Sequence, residues 1–170
     1  MAGANTQQAE EASREPVNVN LRWGPNTIVQ VLLGIWAVWW TIVFATNFFD
    51  GLINLGVLGE GWTFASGNYG FLLMVTDVHG TPEALVALLF AGGVLWELLI
   101  ALLMWQALVG ALSGTPSREH VYRAFVVAIG FFGAFMIMTE VFIAYDLANT
   151  HVRLLIATLV SLFVVDRFLN

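Results

Sequence analysis

One carboxylic acid lies inside the longest apolar run of the sequence, which extends over residues 84–112. This acid is Glu97, and leucines dominate the residues that follow it. An ionisable group at mid-membrane depth costs about 2.5–3.5 kcal/mol on insertion scales, so it requires a partner, a proton or water. A buried carboxyl is least costly when it is neutral and hydrogen-bonded. We therefore predict a protonated Glu97 that ties two helices together, with proton transfer, ligand binding or contact with a partner subunit as alternatives.

Three tryptophans of the first apolar segment are the candidate hydrogen-bond donors to Glu97. Trp36, Trp39 and Trp40 lie near the middle of that segment, and Trp36 and Trp40 share one helical face at i, i+4 spacing. The favoured interpretation is that the three rings pack against other helices, since aromatic side chains also fill packing gaps in membrane proteins. The alternative is that an indole N–H or a stacked ring meets a buried polar group or a bound ligand, and the antiparallel arrangement of the first two spans makes the Glu97 carboxyl the candidate acceptor.

A second buried acid, Glu140, is predicted near the extracytoplasmic end of the third span. At about 1.5 Å of helical rise per residue, Glu140 then lies above Glu97 rather than beside it. This separation argues against a pair of carboxyls that share one proton. We expect Glu140 to extend toward the membrane interface.

The histidines do not form a haem site in the predicted spans. Bundle cytochromes need two histidines at matched depth on facing helices, whereas His79, His120 and His151 all lie at span ends or in loops. His79, His151 and Asp146 share one side of the membrane and are the candidate ligands of a divalent metal. Solvated loop ends are the favoured interpretation. The chain has no cysteine and no nucleotide-binding or hydrolase motif, so we predict no cofactor and no catalytic residue.

The composition is that of a membrane protein. Hydrophobic residues make up 59% of the chain and charged residues 11%, whereas soluble domains are about 25% charged. All six basic residues are arginines, and twelve acids give a net charge of −6. This acidic balance excludes nucleic acid as an expected partner. The sequence predicts an all-α polytopic membrane protein whose first partner is the lipid bilayer.

Four membrane spans follow from the apolar runs, at residues 27–49, 83–112, 121–147 and 151–168. We expect an antiparallel four-helix transmembrane domain over residues 27–170, preceded by a disordered polar tail over residues 1–26. The long first loop is predicted to be structured, because its residues 69–75 are apolar. That segment is too short to span, so we interpret it as a helix or turn in the interface or folded over the bundle.

The arginines predict the orientation of the bundle. With four spans both termini lie on one side, and that side holds five of the six arginines, namely Arg14, Arg22, Arg118, Arg123 and Arg167. The positive-inside rule places this side in the cytoplasm. Arg153 and the structured first loop are then extracytoplasmic, and we predict a multi-pass protein of the cell membrane.

Short stretches resemble a bacterial family of small four-span integral membrane proteins of unknown function. They are Asn68-Tyr69-Gly70-Phe71 in the first loop, Glu97 to Met104-Trp105 in the second span, and the polar turn from Asn149 to Arg153. The resemblance covers about residues 27–168. It implies the four-span fold and a membrane location, and it implies no catalytic residue.

Three functional hypotheses follow. The first is a non-enzymatic accessory or structural subunit of a membrane complex, which includes self-association. The second is a proton-coupled small transporter that works as an oligomer and uses Glu97. The third is a redox module that binds quinone through the tryptophans or metal through the outer histidines.

Overall fold

The computed structural model describes residues 24–169 and is all-helical over that range, with no strand. Four long helices are apolar and long enough to cross a membrane, which confirms the predicted four-helix fold. A short helix and a 3₁₀ turn, Asp77–His79, lie between the first and second of them. The helices are α1 (Pro25–Asn54), α2 (Asn68–Thr76), α3 (Glu83–Leu112), α4 (Arg118–Val141) and α5 (Tyr145–Phe168).

The long helices pack as an up-down-up-down bundle. α1 adjoins α3 and α5, and α4 also adjoins α3 and α5, so α1 and α4 lie on a diagonal. The bundle has a terminal end, where α1 begins and α5 ends, and a loop end, which carries residues 55–82. Across the diagonal the core is aromatic, because the Trp40 ring of α1 contacts both Phe131 and Phe132 of α4.

Helix α1 is longer than the sequence indicates. The predicted span of 27–49 becomes a helix from Pro25, at the favoured first position, to Asn54. The helix continues past Asp50, and the polar side chain of Asn54 is bonded within the protein, since its Nδ2 donates to Asp50 O at 2.8 Å. The predicted tail of 1–26 overlaps the first residues of α1, and residues 1–23 lie outside the described range.

The second hairpin also differs from the sequence prediction. The predicted second span of 83–112 coincides with α3, whereas α4 ends at Val141 rather than near residue 147. A short turn follows, in which Ile143 has a φ of 56°. Helix α5 then begins at Tyr145 rather than at 151, so the polar residues predicted to form a turn are helical.

The first loop is structured, as its apolar residues indicated. The predicted helix or turn over residues 69–75 is α2, which packs against α1 and α3. The 3₁₀ turn after it bonds to the other hairpin, since His79 Nε2 donates to Val141 O at 2.7 Å. The loop therefore folds over the loop end of the bundle.

Candidate functional site

The buried acid Glu97 is hydrogen-bonded to an amide side chain and not to one of the predicted tryptophans. Asn47 of α1 donates from Nδ2 to Glu97 Oε1 at 2.7 Å. Both side chains are about 95% buried, with 6% of Asn47 and 5% of Glu97 exposed. Glu97 therefore connects two helices as predicted, but its partner is the amide of Asn47 and not a tryptophan indole.

The register between α1 and α3 explains why the tryptophans do not reach Glu97. Trp105 Nε1 donates to Thr41 Oγ1 at 2.9 Å, which sets the two helices so that Glu97 lies level with Asn47. Asn47 is seven residues after Trp40, about 10 Å along the helix. Glu97 thus lies toward the loop end, and Trp40 lies nearer the bundle centre.

The three predicted tryptophans are packing residues. Trp36 and Trp39 meet edge to face at 5.6 Å, and Trp39 and Trp40 at 4.8 Å. Trp40 is fully buried, and its Nε1 has no hydrogen-bond acceptor among residues 24–169. The arrangement corresponds to the favoured interpretation of the sequence, in which the rings fill space between helices, and the alternative of an indole donor to Glu97 is wrong.

A second buried acid, Asp50, lies one turn beyond Asn47 and holds the first loop. Its Oδ2 accepts hydrogen bonds from Tyr69 N at 2.7 Å and from Ser66 Oγ at 3.1 Å. Its Oδ1 accepts from Asn54 Nδ2 at 3.2 Å. Three donors therefore satisfy a carboxyl group that is only 5% exposed.

The two acids belong to one connected group of side chains. Asn68 Nδ2 donates to Asn47 Oδ1 at 2.8 Å, and Asn68 N donates to Ser66 Oγ at 3.1 Å. We call this group the polar clamp, and its members are Asn47, Asp50, Ser66, Asn68 and Glu97. It connects α1, α3 and the start of α2, so its evident physical role is to fasten the loop onto the bundle.

Tyr69 extends this attachment toward the start of α3. Its hydroxyl donates to Glu83 Oε1 at 3.4 Å, and its ring meets Phe90 edge to face at 5.3 Å. Desolvation, followed by the charge and the hydrogen bond of Glu83, raises the pKa of the Tyr69 hydroxyl. The neutral Tyr69 hydroxyl thus links the start of α2 to the start of α3.

One atom of the polar clamp is unpaired. Glu97 Oε2 is buried and has no hydrogen-bond partner among the described residues. An unsatisfied buried polar atom is uncommon, because it forfeits the hydrogen bonds that water would give it. Glu97 Oε2 is consequently the one place in the polar clamp where a proton or a ligand group would find a free partner.

The other candidate site residues lie apart from the polar clamp. The prediction that Glu140 is a second buried acid is wrong, because its side chain is exposed near the end of α4. His79 bonds to Val141 O, whereas the His151 ring packs on Phe135 at 5.1 Å and its Nδ1 has no partner within residues 24–169. Over the same residues, no group of three or more metal-binding side chains includes His79, His151 and Asp146.

The sequence carries a periodic signal for the polar residues of α1 that were not predicted as site residues. Asn47, Asp50 and Asn54 follow the spacing i, i+3, i+7, so they share one face at the end of an apolar helix. The predicted first span ends at residue 49, which divides these residues between a span and a loop. Their partners in residues 66–69 come from tertiary packing, for which the sequence carries no comparable signal.

Comparison with known proteins adds no family or relative. No protein-family model, curated protein or solved structure matches the chain. The resemblance to a family of small four-span membrane proteins stays a prediction.

Proposed function

We propose that the protein is a non-enzymatic four-helix membrane protein that functions by association, as an accessory subunit of a membrane complex or with further copies of itself. The observation that carries this proposal is the filled interior of the bundle. Trp40, Phe131 and Phe132 interlock across the diagonal at centroid distances of 5.1–5.7 Å and are at most 5% exposed. Because the centre of such a bundle is filled by side chains, another protein would bind to its outer surfaces.

The polar clamp supports the same proposal. Asp50 has three donors, and both ends of the Asn47 amide are bonded. These polar groups are hydrogen-bonded within the chain and hold the loop in place. A fixed loop presents a defined surface at the loop end, as an association partner requires.

The proposed setting is the cell membrane, with both termini in the cytoplasm. The support is the distribution of arginines, since Arg118, Arg123 and Arg167 lie at the terminal end of the bundle. Cytoplasmic loops and tails carry the excess of Lys and Arg in membrane proteins. On this orientation the loop and α2 face the extracytoplasmic side.

Gentle extraction from the native membrane tests the proposal. We expect native electrophoresis to show a species larger than the 18.7 kDa chain with its detergent micelle, and mass spectrometry of that band to identify its protein components. Migration as a lone monomer, both in mild detergent and after cross-linking in intact membranes, would refute association. A soluble-domain control of similar mass, cross-linked alongside, measures the background.

A second candidate function is proton-coupled transport by an oligomer. The observation in its favour is Glu97 Oε2, which is buried without a hydrogen-bond partner among residues 24–169. The test is flux in reconstituted vesicles under a pH gradient. Glu97→Gln keeps the size and the acceptor oxygen of the side chain but removes its titratable proton, so proton-dependent flux should vanish. Equal flux in wild type and Glu97→Gln would exclude this function.

A further inference from the structure

An open apolar groove runs between the start of α1 and the end of α5, at the terminal end of the bundle. Its volume is about 710 Å³, and its walls include Pro25, Ile28, Val31 and Leu32 of α1 and Val164 of α5. Ile28 and Val31 are about half exposed, so the rest of residues 24–169 leaves this side of the groove open. The groove is therefore shaped to receive apolar side chains from outside the described part of the chain.

The groove lies at the boundary of the membrane rather than at its centre. On α5, Asp166 bonds to Arg118 and Tyr122 of α4, and such a group of charged and tyrosine side chains is typical of a membrane interface. Val164 is two residues from Asp166, about 3 Å along the helix. An occupant of the groove can thus keep its polar groups among the lipid headgroups while its apolar side chains enter the groove.

The seven residues that precede the groove alternate between apolar and polar side chains. The apolar residues are Val17, Val19, Leu21 and Trp23, and the polar residues between them are Asn18, Asn20 and Arg22. Successive side chains of an extended chain point to opposite faces, so the four apolar side chains share one face. The segment 17–23 therefore has an apolar edge, which residues 1–16 lack.

The chain reaches the groove in an extended conformation. Gly24, which is itself part of the groove wall, has a φ of −142° and a ψ of 177°, and α1 begins only at Pro25. The peptide bond to Gly24 alone keeps Trp23 next to the groove. Leu21 is two residues further, about 7 Å away in an extended chain. The groove follows α1 for about two turns, roughly 10 Å, so it has room for both side chains.

We propose that residues 17–23 lie extended along the membrane boundary, with Leu21 and Trp23 seated in the groove between α1 and α5. Tryptophan is enriched at membrane interfaces, where its amphipathic ring lies at the level of the headgroups. The backbone of the segment stays among the headgroups, because an extended chain without internal hydrogen bonds is excluded from the hydrocarbon core. The polar residues of the segment then face the headgroups and water.

This segment is favoured over a second copy because it is attached to the groove. A tether of a few residues gives an effective concentration that is roughly millimolar, so modest apolar contacts suffice. The segment is favoured over a lipid chain because seating in the groove explains its alternating pattern, for which a solvated tail has no use. The proposal is independent of the proposed function, and it removes residues 17–23 from the tail that the composition predicts to be disordered.

Because the chain has no cysteine, single cysteines can report which residues of the segment are covered. In permeabilised native membranes we expect a water-soluble maleimide to label Leu21→Cys at least five times more slowly than Asn20→Cys. Val19→Cys should likewise be slower than Asn18→Cys. Equal rates at all four positions would overturn the proposal, because a segment in solution exposes every side chain alike.

Filling the groove tests whether it is the seat of the segment. In the Leu21→Cys background, Val164→Trp should raise the labelling rate to that of Asn20→Cys, because the indole ring takes the place of the segment. Val126→Trp, on the exposed surface of α4 near the same end of the bundle, is the matched control and should leave Leu21→Cys slow. A rate that stays slow in Val164→Trp would show that the segment lies on lipid alone, and the proposal would be wrong.

A cross-link tests the same contact without a bulky side chain. With a short bis-maleimide we expect Leu21→Cys to join Val164→Cys at least five times more often than Leu112→Cys, an exposed residue at the end of α3. That end of α3 also adjoins α1, since Gln30 Nε2 donates to Ala111 O at 3.1 Å, so a free segment would reach both positions. Equal yields would overturn the proposal, even if Val164→Trp proves poorly folded, and would leave the groove to lipid chains.

Discussion

At the scale of single residues, the Asn47–Glu97 hydrogen bond decides how the protein accommodates an acid within a membrane span. The bond joins α1 to α3, and both of its side chains are buried. Interhelical hydrogen bonds within membranes contribute about 0.6 kcal/mol on average and about 1.7 kcal/mol at most, less than their burial alone suggests. The bond is therefore a modest source of stability, and its larger effect is to give Glu97 one defined partner.

A double-mutant cycle measures this bond. We expect Asn47→Leu to destabilise the wild type by about 1–2 kcal/mol, because it leaves Glu97 Oε1 without a donor. In a Glu97→Leu background the same substitution should cost clearly less, with a coupling energy of about 1 kcal/mol. The measurement is unfolding of the purified protein by SDS in mixed micelles. Asn149→Leu, at an exposed asparagine of α5, is the control, and additive effects of the two substitutions would contradict the assignment.

At the scale of elements, the carboxyl of Asp50 is the most heavily bonded attachment of the loop to α1. Asp50 receives bonds from both Ser66 and Tyr69, at the start of the α2 region. Ser66 also donates its backbone N–H to Thr46 O at 3.1 Å. The loop is thus attached to the last two turns of α1 by side-chain and backbone bonds that are few in number, so it should open more easily than the bundle.

Removing the Asp50 carboxyl should release the loop and leave the bundle folded. In Asp50→Ala we expect amide hydrogens of residues 66–76 to exchange at least ten times faster than in wild type, because their anchor is gone. Amides in the middle of α3 should be unchanged. Hydrogen exchange followed by mass spectrometry checks this, with the exposed loop acid Glu60→Ala as the control. Equal protection in Asp50→Ala and wild type would show that apolar contacts alone hold the loop.

The same elements show where sequence-based prediction succeeds and where it stops. Residues 83–112 form one long apolar run with a clear start, so α3 is predictable to the residue. The end of α1 is not predictable in this way. A hydropathy pattern places the end of the span at the polar residues Asp50 and Asn54, whereas the helix continues through them because their side chains bond within the protein. Glu97 was identifiable as a buried acid, whereas its partner depended on a register between two helices that no local pattern specifies.

At the scale of the whole molecule, the charges at the two ends are unequal. The terminal end carries Arg118, Arg123 and Arg167, and the loop end carries Glu60, Asp77, Glu83 and Asp146. This asymmetry supports the orientation proposed above, since basic residues near span ends govern topology. It also gives the loop end a negative field that attracts cations and repels anionic partners.

Single cysteines at the two ends would check this orientation. In intact cells we expect a membrane-impermeant maleimide to label Glu60→Cys in the first loop, because that loop is proposed to be extracytoplasmic. Ser113→Cys, in the turn between α3 and α4, should label only after the membrane is permeabilised. Both positions are exposed, so unequal labelling reflects the side of the membrane rather than burial. The reverse pattern would place the termini outside.

The bond between Asn47 and Glu97 also constrains how the chain is made. Glu97 follows Asn47 by fifty residues, so α1 is synthesised before α3 and we expect Asn47 to enter the membrane first. An acid that enters the bilayer next to a hydrogen-bond donor such as the Asn47 amide avoids part of the free-energy cost of inserting without a partner. We therefore expect α1 and α3 to leave the insertion machinery as a pair, before α4 and α5 complete the bundle. On this order of events, Glu97 holds the first hairpin together during biogenesis.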